Sequence, residues 1–297
     1  MTNKTMGNAT VYLAKTNDPY KGACEALDAL KFSVTGKRVY IKPNLTGGEP
    51  SEKGMTIDIG LVRAVLERLH DCPKITIGES CSDTVKAFDE LGYRQLAKEF
   101  SNVQLEDIRT SEVVWKPVPR PFHTKEMPFN ATVFEHDYLI NIAKMKTHSL
   151  AGVTLCLKNI FGFVPTRKQK LMYHPFIRKA VLDMNQVIKS HFCMIDGVCG
   201  NEFDEVQSTP IKTGAVLAGE NLLAVDLTGG KVMGIDLHKN ETYRMAMDLW
   251  GQPEIKLLGA SLDEVKVAYR QGCLPSTRVR YCKETAASIL YRMVNRH

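Results

Sequence analysis

At 297 residues, with 44% apolar and 24% charged side chains, the chain has the composition of a globular protein with ample core, which excludes the disordered and fibrous classes. No run approaches the ~18 apolar residues of a membrane helix, and the opening Met1–Ala9 has no apolar signal core, so a cytoplasmic protein without a membrane partner is expected. The net charge of +6 lies at one end: residues 266–297 hold seven of the 39 Lys and Arg but only one of the 33 acids, and the rest is neutral.

Taken in chain order, Val11–Leu13, Arg38–Ile41, Lys74–Ile77 and Val103–Leu105 predict short strands, with helices between them at about 21–31, 58–71 and 83–100. The second helix carries Ile59, Val62, Val65, Leu66 and Leu69 on one face, and Asp83 is placed to cap the third, which Gly92 interrupts. Pro117, Pro119, Pro121 and Pro128 turn the next stretch into an extended or hairpin connection. A strand near 137–143, helices near 153–162 and 175–190, and a strand Phe192–Ile195 ending in the turn former Asp196-Gly197 follow. Gly214–Gly219 and Ile255–Gly259 complete the strands, with a buried helix at 222–233 between them.

This alternation predicts an α/β fold: a mostly parallel, doubly wound sheet with helices on both faces. Residues 8–262 would form the α/β domain, and 263–297 a basic helical tail packed on it through Ala286, Ile289, Leu290, Met293 and Val294. Arg278, Arg280, Arg292 and Arg296 would then form a solvated face; the tail has no interleaved aromatic platform, which argues against nucleic acid as a partner.

The segment Ile140-Asn-Ile-Ala-Lys-Met-Lys-Thr-His148 carries the chemistry. Strand alternation puts Ile140, Ile142, Lys144, Lys146 and His148 on one face, a stripe that begins apolar and ends in two ammonium groups and an imidazole. Lys158-Asn159 follows, and between Asp137 and Asp183 there are eight Lys or Arg and no carboxylate. Other strands end in Lys42-Pro-Asn44, Gly78-Glu79-Ser80 and Asp196-Gly197. In a parallel sheet these ends converge on one edge, where ligands bind.

The residue types assign roles. Lys42, Lys144 and Lys158, with the amides of Asn44 and Asn159, would hold a small carboxylate or phosphate. Crowding lowers the pKa of at least one lysine, so Lys146 or His148 would move a proton, with Glu79 or Asp196 as orienter or opposing base. His148, His174 and a carboxylate form the metal set this pattern allows, and a divalent metal is the cofactor it would take. No Walker or dinucleotide glycine motif is present. The eight cysteines (24, 72, 81, 156, 193, 199, 273 and 282) contain no C-x-x-C, so the chain has no iron–sulfur motif; Cys81, beside Glu79-Ser80, is the thiol to watch for reactivity.

Lys42-Pro-Asn-Leu-Thr, Gly78-Glu-Ser, Lys146-Thr-His with Val153–Gly162, Tyr173-His174, Ile195-Asp-Gly-Val and Leu217-Ala-Gly-Glu…Ala224-Val-Asp226 together resemble the domain of unknown function 362 family, in its order, from about residue 10 to 235. Members often carry a four-iron ferredoxin module, and the resemblance therefore implies a separate ferredoxin-type partner for this chain. Two segments depart from the family: Met55-Thr-Ile-Asp58 and Cys199-Gly-Asn-Glu-Phe203. The Lys-x-His segment is more distantly similar to the nickel-pincer lactate racemase family. That similarity implies a two-lobed α/β fold and proton or hydride transfer at the α-carbon of a small acid. The combined expectation is an enzyme acting on a small anionic metabolite, racemase-like, isomerase-like or redox-linked; the alternative is a non-catalytic metal or cofactor carrier using the same pocket.

Overall fold

The computed structural model describes residues 5–205 and 207–295. Its strands are β1 (Thr5–Lys15), β2 (Arg38–Lys42), β3 (Lys74–Glu79), β4 (Val103–Asp107), β5 (Val113–Pro117), β6 (Glu126–Asn130), β7 (Tyr138–His148), β8 (Gly152–Thr154), β9 (Phe192–Asn201), β10 (Pro210–Gly219) and β11 (Gln252–Gly259). Nine of them form one sheet in the order β11-β1-β10-β9-β7-β2-β3-β4, with β8 also paired to β7, and β5 and β6 make a separate hairpin. Five pairings are parallel (β11/β1, β9/β7, β7/β2, β2/β3 and β3/β4), whereas β10 runs antiparallel to both its neighbours and β8 antiparallel to β7.

Helices cover both faces because the strands are apolar on both. Along β7, Ile140 and Ile142 join one core with Val39, Ile41, Ile75 and Ile77, while Leu139, Ala143 and Met145 join the other with Tyr40. The first core receives α1 (Pro19–Ala29), α2 (Ile59–Leu66), α3 (Thr84–Glu90) and α4 (Tyr93–Lys98) through residues such as Leu27, Leu61, Val65, Phe88 and Leu96. The second receives α5 (Cys156–Asn159), α7 (Ile177–Val187), α8 (Leu222–Val232) and α9 (Glu241–Trp250); α6 (Arg167–Tyr173) precedes α7. Local signals set the starts: Asp18 accepts the Lys21 N–H at 3.1 Å before Pro19, Asp58 and Asn221 cap α2 and α8, and Thr166 with Gln169 forms a capping box. The chain closes with α10 (Leu262–Val265) and α11 (Pro275–Asn295). No helix among the described residues is long and apolar enough to cross a membrane.

Four expectations are corrected. The helix expected over 83–100 is two short helices broken at Gly92, whose φ of 77° lies in the left-handed region. The helix expected at 153–162 is β8, four residues of α5 and a 3-10 turn. Asp196-Gly197 is not a turn, since β9 continues through it to Asn201. The apolar side of the C-terminal helix also faces the other way: Ile289 and Leu290 are exposed, and the residues buried are Thr277, Tyr281 and Ser288. The side chains of Arg292, Met293 and Val294, and all of Arg296, lie outside the described residues.

The proline-rich connection is held by a single carboxylate. Asp183 of α7 accepts backbone N–H groups from Phe122, His123 and Thr124 at 2.7, 3.0 and 2.9 Å, and burial raises its pKa. Asp183→Ala strands three donors and should cost roughly 2–5 kcal/mol. Urea unfolding should show this as a lower midpoint at an unchanged slope, with Asp183→Asn recovering part of the loss.

Candidate functional site

The polar strand ends meet around a cavity of about 290 Å³. Lys42, Asn44, Glu79, Lys146, His148, Lys158, Asn159 and His174 all line it, so the structure brings together eight of the ten residues singled out in the sequence. Lys144 and Asp196 do not line it. They are register partners on β7 and β9 and form a buried ion pair of 2.8 Å, while Asp196 also accepts the Asp58 N–H at 2.8 Å.

A second buried pair stands at the neighbouring strand ends. Lys42 Nζ lies 2.8 Å from Glu79 Oε2 and donates to the Pro43 carbonyl at 2.6 Å. The carboxylate takes in addition the N–H groups of Leu45 at 2.9 Å and Ser80 at 2.6 Å. Glu79 is thus fully committed to holding the loop after β2, and its partner Lys42 is already neutralised. Lys42 passes so close to Gly162 that a Cβ there would sit 2.6 Å from its Cε, which is why this position suits glycine.

The remaining cations lack such partners. Lys146 Nζ donates to Met55 O at 2.9 Å and Thr46 Oγ1 at 3.2 Å; Lys170 donates to the Ser80 carbonyl and, at 2.7 Å, to Ser80 Oγ. Lys158 Nζ has neither a hydrogen-bond nor an ion-pair partner among the described residues. None of the three meets a carboxylate in an ion pair, although Glu79 and Glu205 stand in the cavity wall. Burial pushes Lys146 down to about 7, aided by the charges of Lys158 and Lys144. Burial likewise pushes Lys158 and Lys170 down to about 8, against the pull of Glu205 on the first and of Glu79 on the second.

His148 is buried, and its Nδ1 accepts the N–H groups of Leu150 and Ala151 at 3.1 and 3.3 Å. The ring hydrogen of the neutral form is therefore on Nε2, a donor. Burial, then Lys158, His174 and Lys146, hold its pKa well below the ordinary imidazole value, so it is neutral at pH 7. The acid nearest it is Glu205, 3.8 Å from Nδ1, not Glu79 or Asp196. The ring of His174 lies 5.7 Å from that of His148 and its Nδ1 is 3.1 Å from Glu284. Among the described residues no group of three His, Cys, Asp or Glu is arranged to hold a metal ion. With Nδ1 taken by two N–H groups and the hydrogen on Nε2, His148 has no free lone pair, and a metal ligated by it does not fit this arrangement.

Asn159 knots the site together: its Nδ2 donates to Asn141 Oδ1 at 2.9 Å and its Oδ1 accepts from Asn44 Nδ2 at 2.8 Å. Asn44 Oδ1 is left buried without a donor. Cys81 lines the cavity too, but burial and the Glu79 charge push its thiol up, so it is not activated. Lys170 and Glu205 are the charged lining residues that sequence reasoning did not place here; the acid-free stretch from Asp137 to Asp183 was the signal for Lys170, and nothing in the local sequence marks Glu205.

The titration has a direction. Lys146 releases its proton near 7 when folded and near 10.5 when unfolded, so between these values the unfolded chain binds more protons and stability rises with pH. Lys158 and Lys170 add the same sign above about 8. Lys146→Met should flatten the rise of Tm from pH 7 to pH 10; an unchanged slope would show that Lys146 titrates as in water.

The sequence model of a family described as "Domain of unknown function (DUF362)" matches residues 39–231. The thylakoid-associated protein sll1697 of Synechocystis is 22% identical over 221 residues, 69% of this chain and 65% of that protein, so the chain spans less than two thirds of that relative. The solved structure of the lactate racemase apoprotein from Thermoanaerobacterium thermosaccharolyticum superposes with a TM-score of 0.50 at 14% identity, covering 78% of this chain and 58% of that one. A Thermotoga maritima protein gives a TM-score of 0.39 at 14% identity, with 81% and 60% covered. The likeness to the racemase is one of fold.

Proposed function

This chain belongs to the domain of unknown function 362 family, and on that premise we propose that it is an enzyme whose cationic cavity takes a small carboxylate or phosphate and moves a proton on it. The observation that carries the reading is the charge imbalance: Lys146, Lys158 and Lys170 line one cavity with no carboxylate paired to any of them. Buried ammonium groups without counter-charge are costly, and an anionic ligand removes that cost.

Lys158 and Lys170 are the anion holders in this reading. Lys146, close to half-protonated at neutral pH, is the proton carrier. His148, about 7 Å along the same strand face, is a neutral donor toward developing negative charge. Lys42–Glu79 and Lys144–Asp196 are scaffold, which replaces the roles expected of them as anion holders and catalytic acids. A small 2-hydroxy acid is the first carboxylate to try, since the fold is shared with a lactate racemase apoprotein.

A thermal-shift panel of small carboxylates, phosphate esters and divalent metals on wild type, Lys158→Met and Lys146→Met tests this. One anion class should raise Tm in the wild type and fail to do so in Lys158→Met, with affinity falling above about pH 8 as the lysines lose their protons. Lys146→Met should retain binding of that anion and lose turnover by about 100-fold or more. Anion binding without turnover in the wild type would assign the pocket to a carrier. Absence of any anion response would overturn the reading.

A further inference from the structure

Helix α11 is docked inside out. The residues it buries are Thr277, Tyr281 and Ser288, and its fastenings are polar. Ser288 Oγ donates to the Met172 carbonyl at 2.9 Å, Glu284 stands 3.1 Å from His174 Nδ1, the Tyr281 hydroxyl donates to Glu205, and Arg280 lies 3.6 Å from Glu205. Its outer side carries Val279 at 55%, Ile289 at 48% and Leu290 at 63% exposure, three of the six exposed large hydrophobics among the described residues. Cys282, Lys283 and Ala286 are exposed beside them.

At about 100° per residue, Val279, Ala286 and Leu290 fall within a narrow arc, Cys282 and Ile289 continue it on one side, and Lys283 lies on the other. Arg278 and Arg280 stand about 100° to either side of Val279. The one acid of the helix, Glu284, is turned inward and used by His174 and Arg280. A surface helix normally buries its apolar stripe and solvates its polar side. This one does the reverse, and leaves an apolar ridge with cationic borders in water.

We propose that α11 is an interfacial helix, seating Val279, Ile289 and Leu290 at the headgroup–acyl boundary of an anionic lipid surface, with Arg278 and Lys283 on lipid phosphates. Charge complementarity favours lipid over a second copy of the chain. Two such ridges face to face would gather the Arg278 and Lys283 borders of both copies into one interface, with no acid among the described residues of the face to answer them. Size favours it too: the ridge is about 16 Å long and one helix wide, well short of the ~800 Å² per partner that a stable dimer buries. This concerns the outer side of the helix and is independent of what the cavity binds.

Co-sedimentation with vesicles of phosphatidylcholine alone and of equimolar phosphatidylcholine and phosphatidylglycerol, at low and high salt, tests the proposal, with light scattering of the free protein beside it. The full chain should sediment with the anionic vesicles, not with the neutral ones, and release as salt rises. The double substitution Ile289→Glu, Leu290→Glu should lower partitioning about tenfold or more at an unchanged Tm, because both side chains are already in water. Arg278→Gln with Lys283→Gln should weaken anionic binding while retaining the fold. Failure of the wild type to sediment with either vesicle would overturn the proposal. So would a dimer that the double substitution dissociates, which would assign the ridge to a second copy.

Discussion

Everything at the functional end of the sheet depends on how two carboxylates are spent. Glu79 and Asp196 each sit in a buried pair of 2.8 Å with a lysine on a neighbouring strand, Lys42 and Lys144. Their remaining lone pairs go to backbone N–H groups: Leu45 and Ser80 on Glu79, Asp58 and Val198 on Asp196. Such pairs add little net stability over apolar residues, but losing one partner leaves an uncompensated charge worth several kcal/mol. Their use here is positional. Both ends of the segment from Leu45 to Asp58 are tied to the sheet, and that segment supplies the Thr46 hydroxyl and Met55 carbonyl that receive Lys146. With both carboxylates used, and Glu205 of the cavity wall engaged by Ser149, Tyr281 and Arg280, no carboxylate among the described residues pairs with Lys146, Lys158 or Lys170, and the cavity keeps a positive excess.

A third carboxylate sets the opposite wall. Asp226 of α8 accepts the N–H groups of Cys156 and Leu157, both at 2.8 Å, and the Tyr243 hydroxyl at 2.8 Å. Burial raises its pKa to about 6 despite those three donors. The two N–H groups open the four-residue helix α5, which is far too short to stand alone, so the carboxylate substitutes for the missing turn. Lys158 and Asn159 follow directly. One presents an unpaired ammonium; the other bonds Asn44 and Asn141 and reaches the carbonyls of Lys42 and Ile142 at 3.3 Å.

Much of this was legible in the sequence, for a definite reason. The β7 stripe is a local period-two pattern, and the parallel order follows from strands alternating with helices, so the convergence of Lys42, Glu79, Lys146 and His148 on one edge could be read directly. What could not be read is which lysine pairs with which carboxylate. That is decided by register between strands 37 and 52 residues apart, and it separates Lys144 and Asp196 from the cavity they were expected to line. Asp196-Gly197 looks like a turn because its composition is that of one, yet pairing with β7 and β10 on either side keeps it extended. Glu205 lies in irregular backbone with no periodic signal. Helix α11 shows a different limit: spacing reveals that an apolar arc exists but not which way it faces, because that depends on the polar partners Met172, His174 and Glu205 waiting on the body.

Helix α11 joins the outer surface to the site through one shared acid. Glu205 accepts the Ser149 N–H at 2.8 Å and the Ser149 hydroxyl, takes the Tyr281 hydroxyl, and lies 3.6 Å from Arg280 and 3.8 Å from His148 Nδ1. Two of those partners, Tyr281 and Arg280, belong to the helix. While the helix is seated, Arg280 answers part of the Glu205 charge and adds to the field that keeps His148 neutral. Helix α11 thus reaches the one wall acid that is not held in a lysine pair, Glu205, without contributing any residue that lines the cavity.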